Sequence, residues 1–345
     1  MKKALITGIR GQDGAYLAKL LLAKGYDVYG ADRRNSDGES WRLNYLGIEK
    51  DVEIVYMDLL ELPRILDVIQ CIKPDEIYNL AAQSFVKTSF DQPILTAQVN
   101  AIGVLNLLEA VRLFSPESKF YQASTSEMFG NELTDFTDQD SEEYRAQCIG
   151  TPFMPRSPYA TAKLFAHNST INYREAYGLF ACCGILFNHE SPLRGLEFVT
   201  RKITDGIAKI KTGKLDKLML GNLNARRDWG YAPEYVEAMW QMMQYEKPID
   251  RVIASGETHS IREFIECACN IVGIDIKWTG EGKDEKGIDS KTGKIVIEVA
   301  PEFYRPSDVE YLKGISNFQQ YWKPSVSFAE LVAIMLNADM ERMTR

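Results

Sequence analysis

Lys3-Ala4-Leu5-Ile6-Thr7-Gly8-Ile9-Arg10-Gly11-Gln12-Asp13-Gly14 opens the chain and decides how the rest of it is read. Lys3–Thr7 is an apolar run of strand length, and the amphipathic stretch Gly14–Lys24 follows as a helix. Between them the glycines are spaced GxxGxxG. Gly8 permits the tight turn out of the strand, Gly11 lets the backbone approach a pyrophosphate, and Gly14 allows close helix–strand packing. The amides at the new helix start then receive the phosphates, with Gln12 and Asp13 beside them. A glycine triplet alone is a weak signal; its place between an N-terminal strand and a helix makes it a dinucleotide site.

Outward from this unit the alternation continues. Strands are expected at Asp27–Ala31, Val52–Met57, Glu76–Leu80, Lys119–Ala123 and Ala181–Phe187, with helices at Leu62–Ile72, Leu95–Phe114 and Ser157–Tyr177. Strands alternating with helices imply crossover connections and a parallel sheet covered on both faces, an α/β doubly wound fold of Rossmann type. Beyond residue 190 the pattern loosens, with Gly and Asp punctuation around Gly221–Gly230 and Gly280–Gly293. The expected division is a dinucleotide-binding domain over 1–189, onto which 231–255 packs back, and a smaller α/β substrate-binding domain from 190–230 and 256–345.

The second strand ends in Asp32-Arg33-Arg34. An acidic residue there suits the ribose 2′-hydroxyl of NAD and an arginine the 2′-phosphate of NADP. Both are present, and the adjacent arginines, Arg33 first, favour NADP. Asp58, with Leu59 beside it, falls where the adenine is expected. Ala81 and Gln83, after the fourth strand, fall where the nicotinamide half should run.

Two further segments carry chemistry. Tyr159 and Lys163 are four apart on a predicted helix and so share a face. An ammonium near a phenol favours phenolate, which suits Tyr159 as a base. This spacing arises by chance about once in a protein of this size, so it needs support. Gln122-Ala123-Ser124-Thr125-Ser126-Glu127 closes the fifth parallel strand, and ligands bind outside the carboxyl ends of such strands. Thr125 can hydrogen-bond a substrate hydroxyl, and Glu127 is a candidate acid/base for a second proton transfer. The competing roles are a helix cap for Thr125 and a capping-box acid for Glu127.

The bulk numbers bound the function. A net charge of −8 over 345 residues excludes nucleic acid as the main partner, because phosphate neutralisation needs clustered Lys and Arg. A nucleotide ligand stays compatible with it. The start Met1–Gly8 is too short for a signal peptide, and no stretch reads as apolar for long enough to span a bilayer. Cys71, Cys148, Cys182, Cys183, Cys267 and Cys269 show no metal or disulfide spacing, and His167, His189 and His259 lie far apart. The expectation is a metal-free cytoplasmic enzyme. His189 reads as packed structure, Cys182–Cys183 as inert core, and Met239, Met242 and Met243 as helix core.

With these residues in place, the order Thr7-Gly8-x-x-Gly11-Gln12-Asp13-Gly14, Ser124-Thr125-Ser126-Glu127, Tyr159-x-x-x-Lys163 resembles the extended short-chain dehydrogenase/reductase family. Within it, Asn79–Ser84, Ser157–Ala160, Phe187–Pro192, Phe198–Lys202 and Gly221–Gly230 resemble the GDP-mannose 4,6-dehydratases. The resemblance covers nearly the whole chain. It implies a tightly bound NADP regenerated at each turnover and a redox-neutral dehydration of GDP-mannose to GDP-4-dehydro-6-deoxy-mannose. Tyr159 would take the O4 proton as hydride leaves C4. Glu127 would remove the C5 proton and, with Thr125, help the C6 hydroxyl leave as water before hydride returns to C6. It also implies substrate contacts from Ser84, Asn188, Lys202, Arg227 and Arg305, and a homodimer or a homotetramer with Arg33–Ser36 reaching a neighbour. Asp308 stands where a glutamate is expected on the ribose. The interval from Glu127 to Tyr159, with its acidic stretch Asn131–Cys148, is longer than the resemblance implies. That keeps a related GDP-sugar such as GDP-manno-heptose open, with a sugar-nucleotide 4-epimerase or reductase and a non-catalytic NADP sensor as further alternatives.

Overall fold

In the strands of the first half, neighbouring residues are buried on opposite faces of one sheet. Ala4 and Ile6 face one core while Leu5 faces the other, and Tyr78 and Tyr121 oppose Ile77 and Phe120 in the same way. Strands buried on both sides belong to a parallel sheet with helices on each face. The computed structural model describes residues 1–34, 40–135, 145–303 and 309–344, and it contains that sheet. Its strands are β1 (Lys3–Thr7), β2 (Asp27–Asp32), β3 (Glu53–Tyr56), β4 (Glu76–Asn79), β5 (Lys119–Thr125), β6 (Ala181–Leu186) and β7 (Arg251–Ile253). They lie in the order β7-β6-β5-β4-β1-β2-β3, and every pairing is parallel. The order reverses at β1/β4, and a crevice opens there above the carboxyl ends.

The helices Gln12–Ala23 and Ala232–Met243 cover one face through Leu17, Ala18, Leu21, Met239 and Met243. Leu62–Ile72, Gly103–Phe114 and Pro158–Tyr177 cover the other. The single helix expected over Leu95–Phe114 is instead broken. Pro93–Ala97 and Gly103–Phe114 flank a π-turn over Gln98–Ile102, whose wider winding turns Asn100 inward. There Asn100 Oδ1 accepts the Gln83 N–H and Nδ2 donates to the Gln83 carbonyl, both at 2.8 Å. The run Pro93–Phe114 is also long and apolar enough by composition to cross a bilayer, contrary to expectation. Half of its most apolar 18-residue window is buried, and Val104, Leu107, Leu108 and Val111 pack on the sheet.

A second core lies beyond β6. A four-stranded sheet, in the order Leu218–Leu220, Ile295–Val299, Lys286–Asp289, Ile276–Thr279, packs against the helices Val199–Lys211, Ile261–Ile271 and Phe328–Thr344. The last segment crosses between cores: Val309 and Leu312 pack with Ile185 and Phe187, and Phe318 and Trp322 join the core of the first sheet.

One buried ion pair ties the C-terminal helix to the cleft. Arg201 and the fully buried Asp339 meet at 2.7 Å, and Thr204 and Arg342 also donate to Asp339. Arg201 then donates to the carbonyls of Pro192 and Arg194. Removing one partner strands the other charge, so Asp339→Asn is expected to lower the unfolding free energy by about 3 kcal/mol in urea titration. A midpoint within experimental error of the parent would refute this.

Candidate active site

Each catalytic candidate is delivered by an element that ends at the crevice. β5 stops at Thr125, and the 3₁₀ turn Ser126–Phe129 follows at once. Thr125 caps that turn, its Oγ1 accepting the Glu127 N–H at 3.3 Å. The cap role and a place in the site therefore coexist. Ser157 caps the next helix by accepting the Ala160 N–H at 3.1 Å, and Pro158 fills the first helical position. This start sets Tyr159 and Lys163 on the face turned toward β5. Both are buried, at 8% and 5% exposure.

Lys163 Nζ donates to the Ala123 carbonyl at 2.9 Å and stands 5.9 Å from the Tyr159 ring centre. Burial brings the lysine down to about 8. Burial also pushes the Tyr159 phenol above its ordinary range, against a hydrogen bond with Thr125 that pulls it down, while the Glu127 charge adds to the rise. The phenol is thus held protonated in the protein by itself, and Thr125, Glu127 and Tyr159 form one interacting group.

These four residues line a cleft of about 760 Å³. The same cleft is lined by Gly8, Gly11, Gln12, Asp13, Gly14, Ser84, Asn188, Lys202 and Arg227. A second cleft of about 660 Å³, beyond the end of β2, is lined by Asp32, Arg33, Arg34 and Asp58 among others. Leu59 turns its side chain into the core, leaving its carbonyl to accept from Asn106 at 2.9 Å. Ala81 donates its N–H to Thr7 Oγ1 at 3.1 Å, and Gln83 is held by Asn100. Arg305 and Asp308 lie outside the described residues, as do residues 136–144 of the acidic stretch. The base of that stretch is described: Thr134–Asp135 pairs antiparallel with Arg145–Ala146, and Gln147 bonds the backbone of Lys313 and Ile315.

The glycine loop fits a dinucleotide. Gly8 has φ +70°, and a Cβ on it would stand 2.9 Å from the Ala81 nitrogen; a Cβ on Gly14 would stand 2.4 Å from the Gly8 oxygen. The helix Gln12–Ala23 starts with no side chain capping it, so its first amides face the cleft.

Arg42 and Arg194 line the cleft without belonging to any motif read from the sequence, and several residues inside the motifs gain partners there. Arg194 pairs with the buried Glu190 at 3.0 Å and lies over the Phe198 ring, while Thr200 donates to Glu190 at 2.6 Å. Lys202 Nζ sits 3.4 Å above the Phe303 ring, and burial lowers its pKa, with the Lys87 charge adding to the effect. Arg42 reaches in from far along the chain and donates to the carbonyls of Leu193 and Arg10.

His189 is buried as expected, and it also links the two sides of the cleft. Its Nδ1 faces the Phe187 carbonyl at 2.7 Å and its Nε2 the Asp13 carboxylate at 2.8 Å. Both partners only accept, so both nitrogens carry protons and the ring is an imidazolium. Burial works against this charge, but Asp13 outweighs it and raises the His189 pKa despite Arg194 nearby; Tyr235 stacks on the ring. Burial likewise disfavours the Asp13 carboxylate, and His189 more than offsets it. The link is therefore whole between the lowered Asp13 value and the raised His189 value. It fails as pH rises through the latter or falls through the former. Above neutral pH, the parent is expected to lose melting temperature faster than His189→Gln. Parallel curves would disprove the charged bridge.

Residues 5–335 match the family model described as GDP-mannose 4,6 dehydratase. The chain is 47% identical to the GDP-mannose 4,6 dehydratase of Drosophila melanogaster, covering 100% of this chain and 87% of that protein. It is 48% identical to that of Homo sapiens, covering 99% and 92%. Among solved structures, the dTDP-glucose 4,6-dehydratase of Bacillus anthracis, in complex with NAD, superposes with a TM-score of 0.78 over 100% of this chain and 98% of that one, at 19% identity.

Proposed function

The chain belongs to the GDP-mannose 4,6-dehydratase family, and we propose that Thr125, Glu127, Tyr159 and Lys163 are its catalytic group. The protein is a dehydratase that converts GDP-mannose to GDP-4-dehydro-6-deoxy-mannose. The observation that carries the site assignment is the meeting of a carboxylate, a hydroxyl and a Tyr/Lys pair in one cleft with the glycine loop. An alcohol oxidation alone has no use for a carboxylate there; an elimination does.

NADP is the proposed cofactor, held at its pyrophosphate by Gly8, Gly11, Gly14 and the first amides of the following helix. Gln12 and Asp13 stand beside that loop, Asp58 and the Leu59 backbone lie toward the adenosine, and Ala81 and Gln83 lie along the far half. Arg33 and Arg34 line the second cleft, and arginines in that position suit a 2′-phosphate. When bound, the dinucleotide supplies a reversible hydride store, filled from C4 and emptied to C6, so that the overall change is loss of water alone.

The chain's own residues move the protons. Tyr159 accepts the O4 proton, and Thr125 donates or accepts a hydrogen bond at the same oxygen. Lys163 orients the cofactor ribose and contributes positive charge. Glu127 takes the C5 proton, made acidic by the neighbouring ketone, and returns it to the C6 hydroxyl, which leaves as water; a proton delivered to C5 as C6 is reduced then balances the one Tyr159 took from O4. Asn188, Lys202 and Arg227, with Ser84, hold the GDP-sugar, and Arg305 and Asp308 are proposed to complete that set.

Exposed apolar side chains at Ile94, Leu95, Ile102 and Phe114, along the broken run Pro93–Phe114, and at Phe165 on the helix Pro158–Tyr177 support a homodimer or homotetramer. Six free cysteines support a reducing, cytoplasmic setting. We assign cofactor binding to 1–189 with 231–255 and sugar-nucleotide binding to 190–230 with 256–345. The reaction is checked with GDP-mannose deuterated at C4: the label is expected at C6 of the product. Recovery of the label at C4, or its loss to solvent, would reject the assignment.

A further inference from the structure

The loop that carries the glycines and the end of β2 are joined by an ion pair. Arg10 Nε stands 2.8 Å from Asp32 Oδ2, with the two side chains 15% and 21% exposed. Both partners are fixed by their backbones. The Gly8 N–H donates to the Ala31 carbonyl at 3.2 Å, and the Arg10 carbonyl accepts from Arg42 at 2.9 Å. An acidic side chain at the end of this strand accepts a ribose 2′-hydroxyl and repels a 2′-phosphate. Here that carboxylate already faces a guanidinium.

The charges around the adjoining cleft make this pairing decisive. Its lining carries the carboxylates of Asp32, Asp58 and Glu61 against Arg33, Arg34 and Arg64. Arg64 is itself turned to Asp67 and to the Tyr56 carbonyl. Without Arg10, carboxylates would outnumber the cations turned toward a ligand. With it, Asp32 is neutralised, and Arg33 and Arg34 balance Asp58 and Glu61 instead of being outnumbered.

We propose that Arg10 is the cofactor-selecting residue of this chain: by pairing with Asp32 it cancels the charge that would reject a 2′-phosphate, and so makes the phosphorylated dinucleotide the favoured ligand. This rests on the reading of the chain as NADP-dependent. It adds that selectivity depends on a residue of the glycine loop, outside the Asp32-Arg33-Arg34 run that signals it.

The test is equilibrium binding of NADP and of NAD, by calorimetry, to the full-length protein freed of dinucleotide. The parent, Arg10→Gln, Asp32→Asn and the double variant are compared, each checked for an unchanged circular dichroism spectrum. Arg10→Gln is expected to weaken NADP by about tenfold or more while NAD is unchanged or tighter. Adding Asp32→Asn is expected to restore NADP to within about threefold of Asp32→Asn alone. Equal weakening of both dinucleotides by Arg10→Gln, no weakening, or a loss of NADP affinity that persists in the double variant would each overturn the proposal. The parent's own ratio tests the underlying reading separately: NAD bound at least as tightly as NADP would reject NADP dependence itself.

Discussion

Tyr159→Phe is expected to lower kcat/KM on GDP-mannose by on the order of 10³-fold, with melting temperature and dinucleotide affinity close to the parent's. The ring stays, so its packing against β5 and the adjoining helix start survives. Only the hydroxyl is removed, and with it the group proposed to accept the O4 proton. Because the buried phenol lies above its ordinary range, its base form is scarce, and kcat is expected to climb with pH until that form is populated. A variant retaining a tenth of the parent rate would show that the phenol is a spectator. A parent rate flat with pH above neutrality would show that its protonation is not limiting.

Glu127→Gln has a different expected signature. Loss of water falls by about 10²–10⁴-fold, and uptake of solvent deuterium at C5 falls with it. Oxidation at C4 survives in part, because Tyr159 and Lys163 remain, and borodeuteride trapping then labels C4. The contrast separates the two proton transfers: Tyr159→Phe stops both, whereas Glu127→Gln stops the second. It also separates a dehydratase from a 4-epimerase or a 4-keto reductase, which have no use for a carboxylate at this position. Dehydration at the parent rate in Glu127→Gln would show that another group takes the C5 proton.

The parts of the fold legible in the sequence are those where one periodicity acts alone. β1 and the helix Leu62–Ile72 fall at their expected bounds because each is a clean buried run or amphipathic stretch. The π-turn at Gln98–Ile102 is not visible this way, since its cause is the bond of Asn100 to the backbone of Gln83, remote in sequence. β7 is three residues long and carries no period at all. The smaller sheet is hidden similarly, because Ile276–Thr279 is only partly buried and its partner strands are short.

The site divides along the same boundary. Glycine spacing, strand ends and an i, i+4 pair are local, and the residues they single out line the cleft together. Arg42 and Arg194 are set by tertiary contacts and leave no local trace. Asp13 shows the limit within a motif. The sequence places it beside the cofactor loop, and only the structure adds that its carboxylate meets His189, 176 residues away. Asp32 shows the same, since its meaning changes once Arg10 is seen beside it.

On the proposed chemistry, water is lost with no net oxidation and the site keeps its dinucleotide between turnovers. Incubation of the purified protein with GDP-mannose and no added cofactor, followed by mass spectrometry over many turnovers, tests it most directly. The expected product is lighter than GDP-mannose by one water, in large molar excess over the protein. A product of unchanged mass, or turnover that stops after one equivalent of dinucleotide, would contradict it.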